Sequence, residues 1–306
     1  MRLVFAGAPG IAAEHLEALA RRTRHEIAAV LTQPDAPKGR GQKLGPPPAK
    51  IKAQAMGIKE IFQPANAKDP ALRQALRDLG VDLGVVVAYG KILPPELLSI
   101  PIYGFINVHF SLLPKLRGPS PVETAILEGL DATGVTTFHL NERLDAGDLV
   151  LQRGVPVSPA EAAPELKSRL SALGQDLLVE TLGLIESGRA PRIPQVESEA
   201  TRSRLFGKED ARLDPSRGAR HLERQVRAFR EWPKAWMDFE WGRIQVLQAR
   251  AVQQRLNEPW RPVPGQGFLL SCSEGSLLVE KVQPASRGPM GAWDFLQGLQ
   301  GAKGLS

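Results

Sequence analysis

The stretch GFINVHFSLLPKLRG, residues 104–118, begins as a strand and then breaks off into a loop. An amide, Asn107, and an imidazole, His109, stand where apolar residues would be expected near the strand's end. Residues i and i+2 of a strand point to one face, so these two project side by side. A lone Asn or His in a strand is usually a satisfied structural group. Two of them at the carboxyl end of a central strand are costly to bury without partners.

Outward from this stretch, the first half of the chain alternates short apolar runs with helix-like segments. RLVFAG (2–7), EIAAVLT (26–32), DLGVVVAYG (82–90), GFINVHF (104–110) and GVTTFHL (134–140) read as strands. Helices fit residues 11–22, near 49–56, 69–79, 93–99 and 119–129, and 168–187. This rhythm predicts an α/β domain built on a mostly parallel sheet. In such sheets ligands bind outside the carboxyl ends of the strands, which is where Asn107 and His109 fall. The cluster LDAGD (144–148) lies just past the fifth strand and could bring Asp145 or Asp148 to the same edge. An amide donor, a histidine and a carboxylate form a recurring set for acyl-type transfer. Ser111 is the one hydroxyl close by, and HFSLL is not a nucleophile elbow. Direct attack by a substrate amine accounts for the missing protein nucleophile.

The first turn, AGAPG, lacks the glycine spacing and the acidic residue of a dinucleotide site, so Gly7 and Gly10 are read as a tight strand-to-helix turn. Residues 188–204, GRAPRIPQVESEATRSR, mix glycine, proline and charge in the manner of a linker. A helix over 216–230 and several short strands follow, predicting a compact β domain or small barrel. The predicted division is 1–189, a linker at 190–207, and 208–306. One cysteine, Cys272, excludes an internal disulfide or a cysteine metal cage, and no His/Cys/Asp spacing makes a metal site. No apolar run approaches the roughly 20 residues of a membrane span, and no signal-like segment opens the sequence. A cytoplasmic location is the expectation.

The net charge is +6. Residues 208–306 carry 15 basic and 11 acidic side chains, against 24 and 22 in residues 1–207. Between residues 36 and 52 stand Lys38, Arg40, Lys43, Lys50 and Lys52 with no acid, among glycines and prolines that disfavour regular structure. In the 216–230 helix, Ala219, Leu222, Val226 and Phe229 share one face. Arg217, Arg220, Arg224 and Arg227 recur on a largely opposite one. Either basic feature alone equals a solvated surface; together they favour a nucleic-acid contact through phosphates.

INVHFSLLPKLRGPSP together with TGVTTFHLNERLDAGDLV resembles the folate-dependent formyltransferase family, with its Asn-x-His-x-Ser-Leu-Leu-Pro-x-x-Arg-Gly and Leu-Asp-x-Gly-Asp blocks. The resemblance implies a Rossmann-like sheet with helices on both faces and then a smaller OB-fold-like β-barrel. It implies 10-formyltetrahydrofolate as formyl donor, with no metal. The segments TQPDAPKGRGQKLGPPPAKIKA and LERQVRAFREWP are most similar to members that formylate the α-amine of methionyl-initiator tRNA. A member acting on an amino sugar or other small amine is the alternative. Asn107, His109 and Asp145 are implied as the catalytic trio. Ser111, Leu112, Leu113 and Pro114, with Tyr89, Ile92 and Leu93, are implied to line the folate site. Lys38, Arg40, Lys43 and the four arginines are implied to contact tRNA, in a monomer. Phe110 replaces a residue that is usually small in the family and is expected to narrow the pocket mouth.

Overall fold

The computed structural model of the chain describes residues 1–38 and 43–303. They divide into two compact units, and the first comprises residues 1–121, 133–155 and 168–203. The short apolar runs of the first half form strands because each ends in a turn signal before a helix could close several turns. In chain order the elements are β1 (Arg2–Gly7), α1 (Gly10–Arg22), β2 (Glu26–Leu31), β3 (Ala36–Lys38), β4 (Lys43–Gly45), α2 (Pro48–Ala55), β5 (Ile61–Phe62), α3 (Pro70–Asp78), β6 (Leu83–Val87), α4 (Pro95–Leu98), β7 (Phe105–His109), α5 (Pro121–Glu128), β8 (Ala132–His139), β9 (Leu149–Pro156) and α6 (Ala163–Glu186). Helix α3 shows the local logic: Asp69 caps it by accepting a hydrogen bond from Ala71 N at 2.9 Å, and Pro70 opens its first turn.

The seven-stranded sheet runs β5-β2-β1-β6-β7-β8-β9. Neighbours from β5 to β7 are parallel, whereas β8 is antiparallel to β7. One face carries Val4, Ala6, Leu31, Val86 and Phe105 packed with Leu72, Leu76 and Leu97 of α3 and α4. Helices α1 and α6 cover the opposite face, where Val108 lies beside Gly174. Gly7 is required at the β1–α1 turn, since a Cβ there would stand 2.6 Å from Ala12 Cβ and 2.7 Å from Val87 O. Gly10 has no such constraint.

The second unit comprises residues 122–132, which include all of α5 but its first residue, together with 156–167 and 204–306. It holds α7 (Ala219–Ala228) and an antiparallel sheet of β10 (Trp236–Phe239), β11 (Gly242–Val252), β12 (Trp260–Val263), β13 (Gly267–Ser271), β14 (Ser276–Pro284) and β15 (Met290–Gly291), closed by α8 (Ala292–Lys303). Its core gathers Leu222, Val226, Ile244, Val246, Phe268, Val279 and Phe295. Trp241 and Trp260 pack against that core, while Trp232 is exposed. Strands β3, β4, β5, β9, β12 and β15 were not legible in the sequence; the antiparallel β3–β4 pair stands within the stretch whose glycines and prolines were expected to disfavour regular structure. No helix among the described residues is long and apolar enough to cross a membrane.

Candidate active site

Strand β7 delivers Asn107 and His109 to the sheet face that also bears Phe105. Their pairing partners on β8 are Phe138 and Thr136. The His109 ring is buried and packs edge-on against Phe138, centroids 6.4 Å apart. Its Nε2 lies 3.0 Å from the Leu116 carbonyl oxygen, so that nitrogen carries a proton and donates. Its Nδ1 lies 3.7 Å from Asp145 Oδ2. Both ring nitrogens therefore face oxygen. The same Asp145 oxygen accepts a 2.7 Å hydrogen bond from Gly118 N, which anchors the carboxylate independently of the imidazole. Among the described residues, the Asn107 carboxamide has no hydrogen-bond partner and is half-buried.

The route by which Asp145 arrives differs from the one the sequence suggests. Because β8 runs against β7, His139 at the end of β8 pairs with Ile106, three residues back from His109. That is about 10 Å along the strand. The loop from 140 to 148 must fold back over this distance, and it closes on itself through His139 N donating to Asp148 O at 2.8 Å. Asp145 has φ 49°, a left-handed conformation uncommon for a non-glycine residue. Leu116, whose carbonyl holds His109, is also left-handed at φ 57°. Asp148 instead lies 3.9 Å from Arg192. His139 is buried, and burial together with the nearby Arg192 charge pushes its imidazole down to about 4, against the opposing pull of Asp148. It is neutral near pH 7.

Residues 111–118 fold into a loop tied to β8 and β9. Thr136 Oγ1 donates to Ser111 O at 2.6 Å and accepts from Leu113 N at 3.2 Å. Gln152 Nε2 donates to Leu113 O at 2.7 Å. The model described as formyl transferase matches residues 1–182, and that described as formyl transferase, C-terminal domain, matches residues 206–300. The chain belongs to the formyltransferase family. A protein named methionyl-tRNA formyltransferase from Synechococcus sp. (strain JA-3-3Ab) is 41% identical, over 98% of this chain and 96% of that protein. One of the same name from Anaeromyxobacter dehalogenans is 40% identical, over 98% of this chain and 97% of that protein. In fold, the chain is similar to an N-formyltransferase from Helicobacter canadensis solved with folinic acid and dTDP-3-aminofucose. That likeness has a TM-score of 0.68 at 17% identity, over 90% of this chain and 98% of that one.

The other residues singled out from the sequence of this formyltransferase fall into distinct groups. Ser111 and Leu113 are buried: the Ser111 hydroxyl donates to Lys115 O at 2.6 Å, and Leu113 packs with Phe138 and Leu149. Leu112 and Pro114 are half-buried. Tyr89 and Leu93 belong to the core on the α3–α4 face, whereas Ile92 is exposed. The Tyr89 hydroxyl is buried without a partner among the described residues, and burial pushes it above the usual tyrosine range. Phe110 does not narrow the site. Period-2 alternation turns it to the opposite face, where its ring lies 6.2 Å from that of buried His15 and close to Gly174 of α6.

Of the basic residues, Arg40 lies outside the described residues, and only the backbone of Lys38 is described. Lys43 is exposed on β4. Lys50 and Lys52 are committed to ion pairs with Asp35 at 2.8 Å and Glu17 at 2.6 Å. The four arginines do not form one solvated ridge: α7 starts only at Ala219, and Arg224 and Arg227 are taken up by contacts of their own. Arg217 precedes it and, like Arg220, is exposed. Arg224 lies against Gly129, leaving no room for a Cβ there. Arg227 donates to Glu161 O at 2.8 Å, and burial pulls its guanidinium below the usual arginine value.

Segment 190–203, composed like a linker, makes contacts that no compositional signal indicated. Ile193 bridges to Leu149 and Arg202 to Arg117. Arg117, 4% exposed, donates from Nε to Gln195 Oε1 and from Nη1 to Glu197, each at 3.0 Å. Arg143 joins Glu197 at 2.7 Å.

Proposed function

We infer that this chain transfers the formyl group of 10-formyltetrahydrofolate to the α-amine of methionyl-initiator tRNA, giving N-formylmethionyl-tRNA for translation initiation. The observation that carries this reading is identity of about two residues in five to methionyl-tRNA formyltransferases over nearly the full length of both proteins. The folate supplies an activated formyl group. The polar groups without a partner among the described residues include the Asn107 amide and the Tyr89 hydroxyl, which the reading assigns to the folate and its acceptor. The folate site is read as the loop past β6, with Tyr89, Ile92 and Leu93, and the 111–114 segment.

Asn107 donates to the oxygen on which negative charge develops as the amine adds. An α-amine of pKa roughly 7.7–8.0 is neutral in a useful fraction near pH 7 and needs no protein nucleophile. His109 supplies a second donor at the same oxygen once Nε2 exchanges the Leu116 carbonyl for it. Asp145 faces Nδ1 and supports positive charge on the ring, while the amine's proton passes by way of water to N10 of the folate as the formyl carbon–N10 bond breaks. Lys43, Arg217 and Arg220, with Lys38 and Arg40 by sequence, contact the tRNA phosphates. The reading places the chain in the cytoplasm, as a monomer.

The direct test is the mass of the aminoacyl group after charged initiator tRNA, 10-formyltetrahydrofolate and enzyme are mixed. A formyl adduct is expected. Its absence at saturating substrate, with formylation of an amino sugar instead, refutes the reading. In the same assay Asn107→Ala is expected to lower kcat by about 10²–10³ with unchanged melting.

A further inference from the structure

We propose that Gln195 is a positioning residue for the His109–Asp145 pair, acting from a segment whose composition resembles an unstructured linker. The proposal rests on the reading of Asp145 as the partner of His109. The Gln195 carboxamide uses both of its ends. Nε2 donates to the backbone oxygens of Asp145 at 2.9 Å and Gly147 at 2.8 Å, while Oε1 accepts from Arg117 Nε at 3.0 Å. Arg117 is followed by Gly118, whose N–H holds the Asp145 carboxylate. One side chain thus ties the backbone of Asp145 to the residue adjoining the carboxylate's own anchor.

Asp145 needs such a tether. It occupies a left-handed conformation that is strained for a non-glycine residue, so it persists only where its surroundings impose it. Its loop also arrives by folding back from the far end of β8, without a strand of its own to fix it. Segment 190–203 supports the other half of the pair in the same way. Thr201 Oγ1 accepts from Leu116 N at 2.9 Å, and the Leu116 carbonyl receives His109 Nε2. Arg117 N and O pair with Thr201 O and Ser203 N at 2.9 and 2.7 Å. The Arg117–Glu197–Arg143 ion pairs brace the segment against both loops, but among the segment's described residues Gln195 is the one that bonds directly to Asp145.

The test compares Gln195→Leu, Gln195→Glu, Asp145→Asn and the double variant Gln195→Leu/Asp145→Asn in the full chain. It measures steady-state formyl transfer from 10-formyltetrahydrofolate to charged initiator tRNA, with thermal melting alongside. Gln195→Leu removes all three hydrogen bonds. Gln195→Glu keeps the acceptor for Arg117 and turns an oxygen on the two carbonyls, so it reads out the lost donors even if the leucine variant folds poorly. Both are expected to lower kcat by roughly 10-fold, with KM for either substrate within about twofold. The double variant is expected to be no slower than Asp145→Asn alone, since Gln195 acts through Asp145. Multiplicative losses in the double variant overturn the proposal, as does a parental kcat in Gln195→Glu while Asp145→Asn is impaired. A parental kcat in Asp145→Asn overturns the underlying reading of the pair instead.

Discussion

Gly147→Ala is the sharpest probe of the route by which the carboxylate reaches the imidazole. A Cβ at position 147 would overlap the His139 carbonyl oxygen and come within 2.9 Å of its carbon, with Asn141 N at 3.5 Å. The obstacle is backbone on the same closed loop, so no side chain can swing aside. Restoring ordinary contact moves the 140–148 loop by roughly 1 Å or more, and overpacking of this kind costs about 1–3 kcal/mol of stability. Asp145 lies two residues upstream, its Oδ2 3.7 Å from His109 Nδ1. At an effective dielectric of about 20, lengthening that separation by ~1 Å weakens the attraction to a charged ring by about 1 kcal/mol, close to fivefold in rate. Displaced reacting groups can add up to another ~10²-fold. The expected kcat is therefore lower by roughly 5- to 100-fold, measured with saturating charged tRNA and formyl-folate, and the melting temperature falls. A variant that melts like the parent and retains kcat within about twofold refutes the reasoning, because the loop would then accommodate a methyl group without moving Asp145.

Gly183 on α6 has open space around it and no left-handed φ, so Gly183→Ala is expected to raise stability by about 0.5–1 kcal/mol in a melting experiment, with kcat unchanged. His139 titrates near 4 in the fold against about 6.5 unfolded, so the unfolded chain binds more protons between those values. Its contribution to stability is whole above about pH 6.5 and is lost as the pH falls towards 4, up to about 3 kcal/mol. Chemical denaturation from pH 7 to 4 should show a shallower loss for His139→Leu than for the parent. Lys43→Ala and Arg220→Ala are each expected to reduce the slope of log affinity for tRNA against log salt by about 1. Arg227→Ala should instead lower the melting temperature, since its guanidinium is bonded to Glu161 O rather than free for phosphate.

Local sequence pattern carries strands β1, β2, β6, β7 and β8, most of the helices and the pairing of Asn107 with His109. Period-2 spacing put Asn107 and His109 on one face of a strand, and that depends only on strand geometry. The α/β rhythm, the helices over 11–22 and 69–79, and the amphipathic face of Ala219, Leu222 and Val226 were legible for the same reason: each is a local pattern of burial. The tertiary structure decided what depends on pairings distant in sequence. It set β8 antiparallel to β7, so Asp145 meets His109 through a folded-back loop rather than from a neighbouring strand end. It turned Phe110 towards His15, because alternation opposes it to His109 once the core face is fixed. It split the arginines of α7 into exposed and bonded members, a distinction that identical side chains at helical spacing cannot express. Above all it drew the linker-like segment 190–203 onto Arg117 and Asp145. Those hydrogen bonds join residues 50 and more positions apart, and no pattern within a short window of sequence carries them.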